Sequence, residues 1–451
     1  MSLVIFNTLT RKKEEFKPLN GKSVSLYTCG PTVYNYPQIG NWRAYIFADL
    51  LKRYLTYSHY NVKHVMNLTD VEDKIIREVA LQGKSLKELT GFYIEEFFKD
   101  RDTLNIVPAD IYTRATDYID AMVSLIKKLM DNGYAYKSID GSIYFDIHKD
   151  KEYGKLSHFK LEDLKENALN RMKKDEYEKD NAQDFALWKA WTKEDGDVFW
   201  ETELGKGRPG WHIECSAMSM KELGESIDIH TGGVDNIFPH HENEIAQSEC
   251  ATGKMFVKYF MHNEHLMVNG EKMSKSAGNF YTLEDLINKN INPIAFRMWL
   301  YTSHYRTKTN FTLEAVEGTM SAFKRLKDAY LALGEEVGSV DKKYQTKFTE
   351  YLDNDLDSPK ALALLWDLVK DKDIIDKDKK ATILDFDKVF GFGLDKLQEE
   401  ETPNEILHLS EEREIARKNK NWKKSDELRD QINSLGYEIK DTENGPQISK
   451  L

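Results

Sequence analysis

The sequence predicts an α/β protein: a Rossmann-like, parallel-sheet domain with an insertion, followed by an α-helical bundle and a small C-terminal unit. Three observations carry this. A buried-strand pattern at residues 24–29, a helix with Ile46, Leu50, Leu51, Tyr54 and Leu55 at helical spacing, and a second strand pattern at 62–67 form a strand–helix–strand unit. Such a unit implies parallel strands with a ligand crevice beyond their ends. Strand patterns of the same kind return at Ile227-Asp228-Ile229, which leads into Gly232-Gly233, and at 255–261. After about residue 310, Leu313, Val316, Met320, Phe323, Leu326 and Tyr330 recur at three- and four-residue steps, the mark of an amphipathic helix.

The boundaries follow from these patterns. Residues 1–310 form the first domain, with the charge-rich, helical stretch from about 85 to 200 inserted between two halves of its sheet. Residues 311–395 form the bundle, in which Asp371 to Lys380 is a solvated face or linker. The last unit spans 405–451. The chain shows no internal repeat and no low-complexity tract.

Composition narrows the class. With 451 residues and 40 % apolar content the chain is globular and large enough for several domains. No run of about 18 apolar residues exists, so no membrane partner is expected. The start, Met1-Ser2-Leu3-Val4-Ile5-Phe6 and then Arg11-Lys12-Lys13, reads as neither a secretory signal nor a transit peptide. Three cysteines, an odd number, point to a reducing, cytoplasmic setting. The net charge of −12 argues against nucleic acid on average, but it leaves room for a local basic patch.

Several residue groups carry chemistry. The pentapeptide Lys272-Met273-Ser274-Lys275-Ser276 puts two cations on a short loop, which suits a triphosphate whose charge shifts during reaction. Cys29, Cys215, His240 and Glu244 offer sulfur, nitrogen and carboxylate donors suited to zinc. His240 and Glu244, four apart after Pro239, share one helix face. The types alone fit equally two structural cysteines beside a surface histidine, with Cys250 as eligible as the other two. The stretch Gly205-Lys206-Gly207-Arg208-Pro209-Gly210 has G-x-G-x-x-G spacing. It follows no buried parallel strand, and Pro209 does not suit a helix opening there, so a dinucleotide site is excluded. His262 and His265 are tempting as further metal ligands by type. In the C-terminal unit, Arg413, Arg417, Lys418, Lys420, Lys423, Lys424 and Arg429 surround Trp422. That suits phosphates beside a stacked, unpaired base, and it equally suits a solvated amphipathic helix.

The pentapeptide resembles the signature loop of class I aminoacyl-tRNA synthetases. Four longer stretches narrow the resemblance to cysteinyl-tRNA synthetases: Leu26-Tyr27-Thr28-Cys29-Gly30-Pro31-Thr32-Val33-Tyr34; Arg208-Pro209-Gly210-Trp211 through Cys215-Ser216-Ala217-Met218; Asp228-Ile229-His230 with Gly232-Gly233; and Phe238-Pro239-His240-His241-Glu242-Asn243-Glu244. The match runs nearly end to end.

The resemblance implies ATP-dependent activation of L-cysteine to cysteinyl-adenylate, then transfer to the 3′ end of tRNA(Cys). It implies one zinc per chain on Cys29, Cys215, His240 and Glu244, with His241 and Glu242 outside the ligand set, and Mg²⁺ with the ATP. Zinc answers a selection problem, because an apolar pocket separates cysteine from serine or alanine poorly. The resemblance makes His262 and His265 site lining or structural residues instead of ligands. Thr69 and Trp211 would line the cysteine pocket. Gly40, Gly232, Gly233, Asp235 and Lys275 would receive ATP. Lys272 and Lys275 would stabilise the departing pyrophosphate, with Gln38 and Asn41 opposite them. The two motif histidines of class I synthetases are Gln38 and Asn41 in this chain. Their amides still donate hydrogen bonds but carry no charge. Arg417, Trp422, Arg429 and Asp441 would contact the tRNA anticodon, and the enzyme would act as a monomer. Two alternatives within the resemblance are a ligase joining activated cysteine to an amino-sugar and a catalytically weakened tRNA- or zinc-binding relative.

Overall fold

The computed structural model describes residues 2–159, 184–273, 279–397, 403–442 and 445–450. The chain forms two compact units, Met1–Asp395 and Lys396–Leu451.

The first unit is built on a five-stranded parallel sheet. Its strands are β1 (Ser23–Thr28), β2 (Asn61–Leu68), β3 (Ile111–Arg114), β4 (Ile227–Gly233) and β5 (Val257–Asn263). Their order across the sheet is 3-2-1-4-5, every neighbouring pair parallel. The order reverses between β1 and β4, and ligands bind beyond the strand ends at such a switch point. Val24, Leu26 and Tyr27 of β1 and Ile227 and Ile229 of β4 are buried, as two-sided burial of a parallel sheet demands. Helix α1 (Ile39–Tyr57) follows β1 and buries Trp42, Ile46, Leu50, Leu51, Tyr54 and Leu55.

The sequence-based boundaries are shifted in two places. Strand β3 lies inside the stretch expected to be inserted. Its four residues, Ile-Tyr-Thr-Arg, are too few for a period-two pattern, and only pairing with β2 defines it. What interrupts the parallel sheet is an antiparallel one, with strands Ala135–Lys137, Ile143–Phe145, Phe185–Ala190, Trp200–Thr202 and Gly205–Pro209. Here the G-x-G-x-x-G glycines have a packing role. A Cβ on Gly207 would meet the Lys189 carbonyl oxygen at 2.2 Å, and one on Gly210 the Ala186 carbonyl oxygen at 2.0 Å.

The helices Leu313–Leu331, Lys342–Asp353, Ser358–Lys370 and Asp376–Phe390 were expected as a separate bundle but belong to the first unit. Buried cations bind them to it. Arg297, fully buried, donates to the Phe390 carbonyl at 2.7 Å and to Asp49 on α1. Arg53, also on α1, donates to the Lys388 carbonyl at 3.3 Å. Removing one partner would leave a buried charge unpaired, which holds such joints together.

Two further helices, α2 (Trp211–Leu223) and α3 (Glu242–Thr252), flank β4 in sequence. The second unit pairs the helices Asn404–Lys418 and Trp422–Ser434 with the hairpin Tyr437–Thr442 and Gly445–Lys450, around Ile406, Leu409, Leu428, Ile432 and Ile439.

Candidate active site and metal centre

At the switch point lies a cavity of ≈ 330 Å³, within the size range of small-ligand sites. Cys29, Gln38, Gly40, Asn41, Thr69, Trp211, Gly233, Asp235, His240 and Lys272 all line it, so most of the separately argued candidates converge on one place.

The deep end holds the donor cluster. Cys29 directly follows β1, Cys215 lies on the second turn of α2, His240 precedes α3, and Glu244 lies in its first turn. One ligand atom from each lies within 4.8 Å of every other. The two sulfurs are 4.0 Å apart, Cys29 Sγ is 3.9 Å from Glu244 Oε1, and His240 Nε2 is 3.1 Å from the same oxygen. A tetrahedral zinc with bonds of about 2.0–2.3 Å needs sulfur–sulfur, sulfur–oxygen and nitrogen–oxygen edges of about 3.8, 3.5 and 3.3 Å. The donor set therefore fits zinc within a few tenths of an ångström.

The electrostatics agree. The Cys215 thiol is drawn down to about 6 by its hydrogen bond with Cys29, with His240 adding to the effect. Burial pushes the Cys29 thiol up, reinforced by Cys215. Two adjacent thiolates repel, so the pair splits unless a cation sits between them. Burial opposes charge on His240, but Glu244 and Cys215 outweigh it and raise its pKa.

A second donor set shares two members: Cys29, His230, His241 and Glu244. His241 Nε2 lies 3.3 Å from Cys29 Sγ, and His230 Nε2 lies 2.9 Å from Glu244 Oε2. The cavity separates the sets. His240, of the first set, lines it, whereas His230 and His241 of the second do not. His241 is itself held by His262 at 2.8 Å, and burial drives its pKa well down. Glu242 is occupied elsewhere, accepting backbone N–H groups of Gly154 and Ser157 at 3.0 and 2.7 Å. Cys250 belongs to a different core, beside Tyr134.

Trp211 stacks on His240 with ring centroids 4.2 Å apart. Thr69 accepts from Asn67 Nδ2 at 3.1 Å. A Cβ on Gly233 would fall 2.4 Å from Asp235 Oδ1. Gly232 instead packs against His241, whose ring a Cβ would approach to 2.8 Å.

The shallow end is polar. Gln38 is the N-cap residue of α1. The Asn41 Oδ1 accepts the Gln38 backbone N–H at 3.0 Å. The oxygen of Asn41 is thereby engaged, and its NH₂ is the group left for a ligand. At the start of α1 the Ile39 N–H donates to the Tyr281 carbonyl at 2.9 Å and the Asn41 N–H to the Gln38 carbonyl at 2.8 Å, so the side-chain amides are the donors this turn offers an anion. Lys272 ends the small sheet formed by Leu266–Val268, Glu271–Lys272 and Thr309–Phe311. Lys275 lies outside the described residues.

In the second unit Trp422 is 57 % exposed, with the Arg417 guanidinium 6.0 Å from its ring. Asp441 accepts from Arg413 at 2.8 and 2.9 Å and from Arg417 at 2.7 Å. Arg429 pairs with Asp426 at 3.1 Å. Asp441 thus joins the buried Arg413 to Arg417, which lies beside the exposed Trp422 ring.

Sequence reasoning did not select Asn67, Tyr45 and Lys74 as cavity lining, nor His230 as the partner of Glu244. His230 had a signal, as a histidine in the short strand pattern that leads into Gly232-Gly233. The others had none, since each depends on where a neighbouring element ends.

The description "tRNA synthetases class I (C) catalytic domain" matches residues 15–321, and "Cysteinyl-tRNA ligase anticodon binding domain" matches 400–448. The chain is 47 % identical to a cysteine–tRNA ligase of Chlamydia felis, over 100 % of this chain and 98 % of that one. It is 48 % identical to that of Brachyspira hyodysenteriae, over 98 % of each. Among solved structures, a Mycobacterium tuberculosis methionyl-tRNA synthetase bound by methionyl-adenylate superposes with a TM-score of 0.58 at 15 % identity, covering 82 % of this chain and 90 % of that one. That likeness concerns the fold. Among the described residues, no helix is long and apolar enough to cross a membrane.

Proposed function

The chain belongs to the cysteine–tRNA ligase family of class I synthetases, and from that premise we propose how its own residues divide the work. The reaction is ATP-dependent activation of cysteine followed by transfer to tRNA. Attack of the cysteine carboxylate on the α-phosphorus gives cysteinyl-adenylate and pyrophosphate. A terminal hydroxyl of the tRNA then attacks the activated carbonyl, releasing AMP. No covalent enzyme intermediate is required, so catalysis rests on positioning and charge stabilisation.

Cys29, Cys215, His240 and Glu244 hold zinc. The ion, when bound, would favour a substrate thiolate over a hydroxyl that stays protonated. The chain's own residues do the rest. Trp211 and Thr69 line the space where the amino acid lies. The bare backbone at Gly40 and Gly233 lets the adenosine approach. Asp235 accepts from ribose hydroxyls. The amides of Gln38 and Asn41 hold the triphosphate with Mg²⁺, while Lys272 and Lys275 draw charge toward the departing pyrophosphate. In the second unit, Trp422 stacks on an unpaired anticodon base, with Arg417, Arg429 and Asp441 at its edge. The enzyme acts as a monomer in the cytoplasm.

The observation that carries this reading is the fit of four converging donors at the switch point of the sheet. Cysteine-dependent ATP–pyrophosphate exchange, followed by charging of tRNA(Cys), tests it. Exchange without charging would turn the reading toward an amino-sugar ligase, and no exchange toward a binding protein.

A further inference from the structure

We propose that Arg43 is a positioning residue for cysteine activation: it holds the turn from Gln38 to Asn41 at a set distance from the hairpin that carries Lys272. The inference rests on the reading of the cavity given above.

Arg43 lies on the first turns of α1, two residues beyond Asn41, and is 5 % exposed. Its guanidinium donates to three backbone carbonyls from two separate segments: His265 at 2.7 Å, Thr307 at 2.5 Å and Tyr305 at 3.3 Å. None of these is a carboxylate. Burial pulls its pKa down to about 10, with Glu264 the nearby charge that opposes the shift. It therefore stays charged at neutral pH. A buried cation held only by carbonyls is a poor way to fill space, since an apolar side chain of similar volume avoids the desolvation. A planar fork reaching three acceptors is a good way to fix two segments against a helix.

Those segments lead to Lys272. His265 immediately precedes Leu266–Val268, which pairs with Glu271–Lys272 on one side and Thr309–Phe311 on the other. Residues 305–307 lead into the second of these neighbours. The Thr309 N–H donates to the same His265 carbonyl at 3.3 Å, and the Glu264 N–H to the Tyr305 carbonyl at 2.8 Å. Arg43 thus closes the root of the small sheet.

The helix start is tied to the hairpin's far side as well. The Ile39 N–H donates to the Tyr281 carbonyl at 2.9 Å, Gln38 bridges Thr282, and a Cβ on Gly40 would lie 3.0 Å from Met273 Cε. The first turn of α1 is the common mount for the amide donors and the Lys272 ammonium. Groups that must meet one triphosphate need this, because small misplacements cost large factors in rate.

The test compares Arg43→Lys and Arg43→Met with the unmodified enzyme in ATP–pyrophosphate exchange, resolving kcat and KM for ATP and for cysteine, alongside thermal unfolding. Arg43→Lys is expected to lower kcat/KM for ATP at least tenfold, with KM for cysteine within twofold and Tm within a few degrees. Combining it with Lys272→Ala is expected to lose less than the product of the single losses, because both act on the same contact. Fully multiplicative losses, or parallel losses in ATP and cysteine parameters that track Tm, would overturn the proposal. If Arg43→Met does not fold, Arg43→Lys decides alone. Absence of exchange in the unmodified chain would count against the cavity reading itself, a separate outcome.

Discussion

At the deep end of the cavity, Cys29, Cys215, His240 and Glu244 extend from the ends of β1, α2 and α3, three of them buried and Cys29 half-buried. At the shallow end, Gln38, Gly40, Asn41 and Lys272 present amides, bare backbone and one ammonium close to solvent. The glycines mark the difference. A Cβ on Gly30, beside Cys29, would fall 1.8 Å from the Asn67 carbonyl oxygen, which belongs to the backbone of β2. A Cβ on Gly40 would meet only the methyl end of Met273 at 3.0 Å. The thiol end is packed against strand backbone, whereas at the phosphate end the space beside Gly40 is closed only by a side chain that can move. A zinc site needs ligands fixed to tenths of an ångström. A triphosphate is met by several donors on separate segments, which Arg43 ties together from beneath.

The contrast can be broken first at its rigid end. Cys215→Ala is expected to remove zinc and lower cysteine-dependent exchange about a thousandfold or more, near 4 kcal/mol in transition-state terms. Metal analysis and exchange kinetics on the same preparation check it. Chelation of the unmodified enzyme should give the same loss.

Gly30→Ala comes next. The added methyl must separate β1 from the end of β2, at about 3 kcal/mol or more. Urea unfolding is expected to show that drop together with lost metal binding. A stability change under about 0.5 kcal/mol would mean the thiol end yields after all.

Much of this contrast was legible in the sequence, and unevenly so. The quartet could be selected because each ligand sits in a long, distinctive stretch, such as Phe238-Pro239-His240-His241-Glu242-Asn243-Glu244. The strand–helix–strand start could be read because its apolar residues repeat over whole elements. Strand β3 and the antiparallel sheet could not, since four of these six strands are only three or four residues long and carry too little pattern. The bundle was read as separate because a chain shows its own helices and hides its partners. Only the structure brings Arg297 beneath Phe390. Arg43 was hidden for the same reason: its acceptors lie more than two hundred residues away.

At the phosphate end, Gln38→His restores a titratable donor. A charged hydrogen bond exceeds a neutral one by about 1 kcal/mol, so exchange should rise about fivefold. Protonation supplies the gain, which is therefore full below the ordinary histidine pKa of about 6.5 and fades as pH rises through it. A pH profile of kcat/KM for ATP would show this rise only in the variant. In a Lys275→Ala background the same substitution should restore part of the lost exchange, and no recovery would count against shared charge stabilisation.

The smallest effect belongs to Gly40→Ala. Met273 can move, and alanine favours a helix start, so stability should change by under about 1 kcal/mol. Weaker ATP binding with an unaltered Tm would sharpen the contrast, because the methyl then obstructs the nucleotide alone. A large stability loss would erase it.

The central claim is that four converging donors hold a zinc ion that selects the substrate sulfur. Exchange measured with cysteine and with serine, on protein of known zinc content, tests it most directly. The account predicts about one zinc per chain, strong preference for cysteine, and loss of cysteine-dependent exchange in step with zinc as the metal is chelated. Full cysteine-dependent exchange from metal-free protein would contradict it.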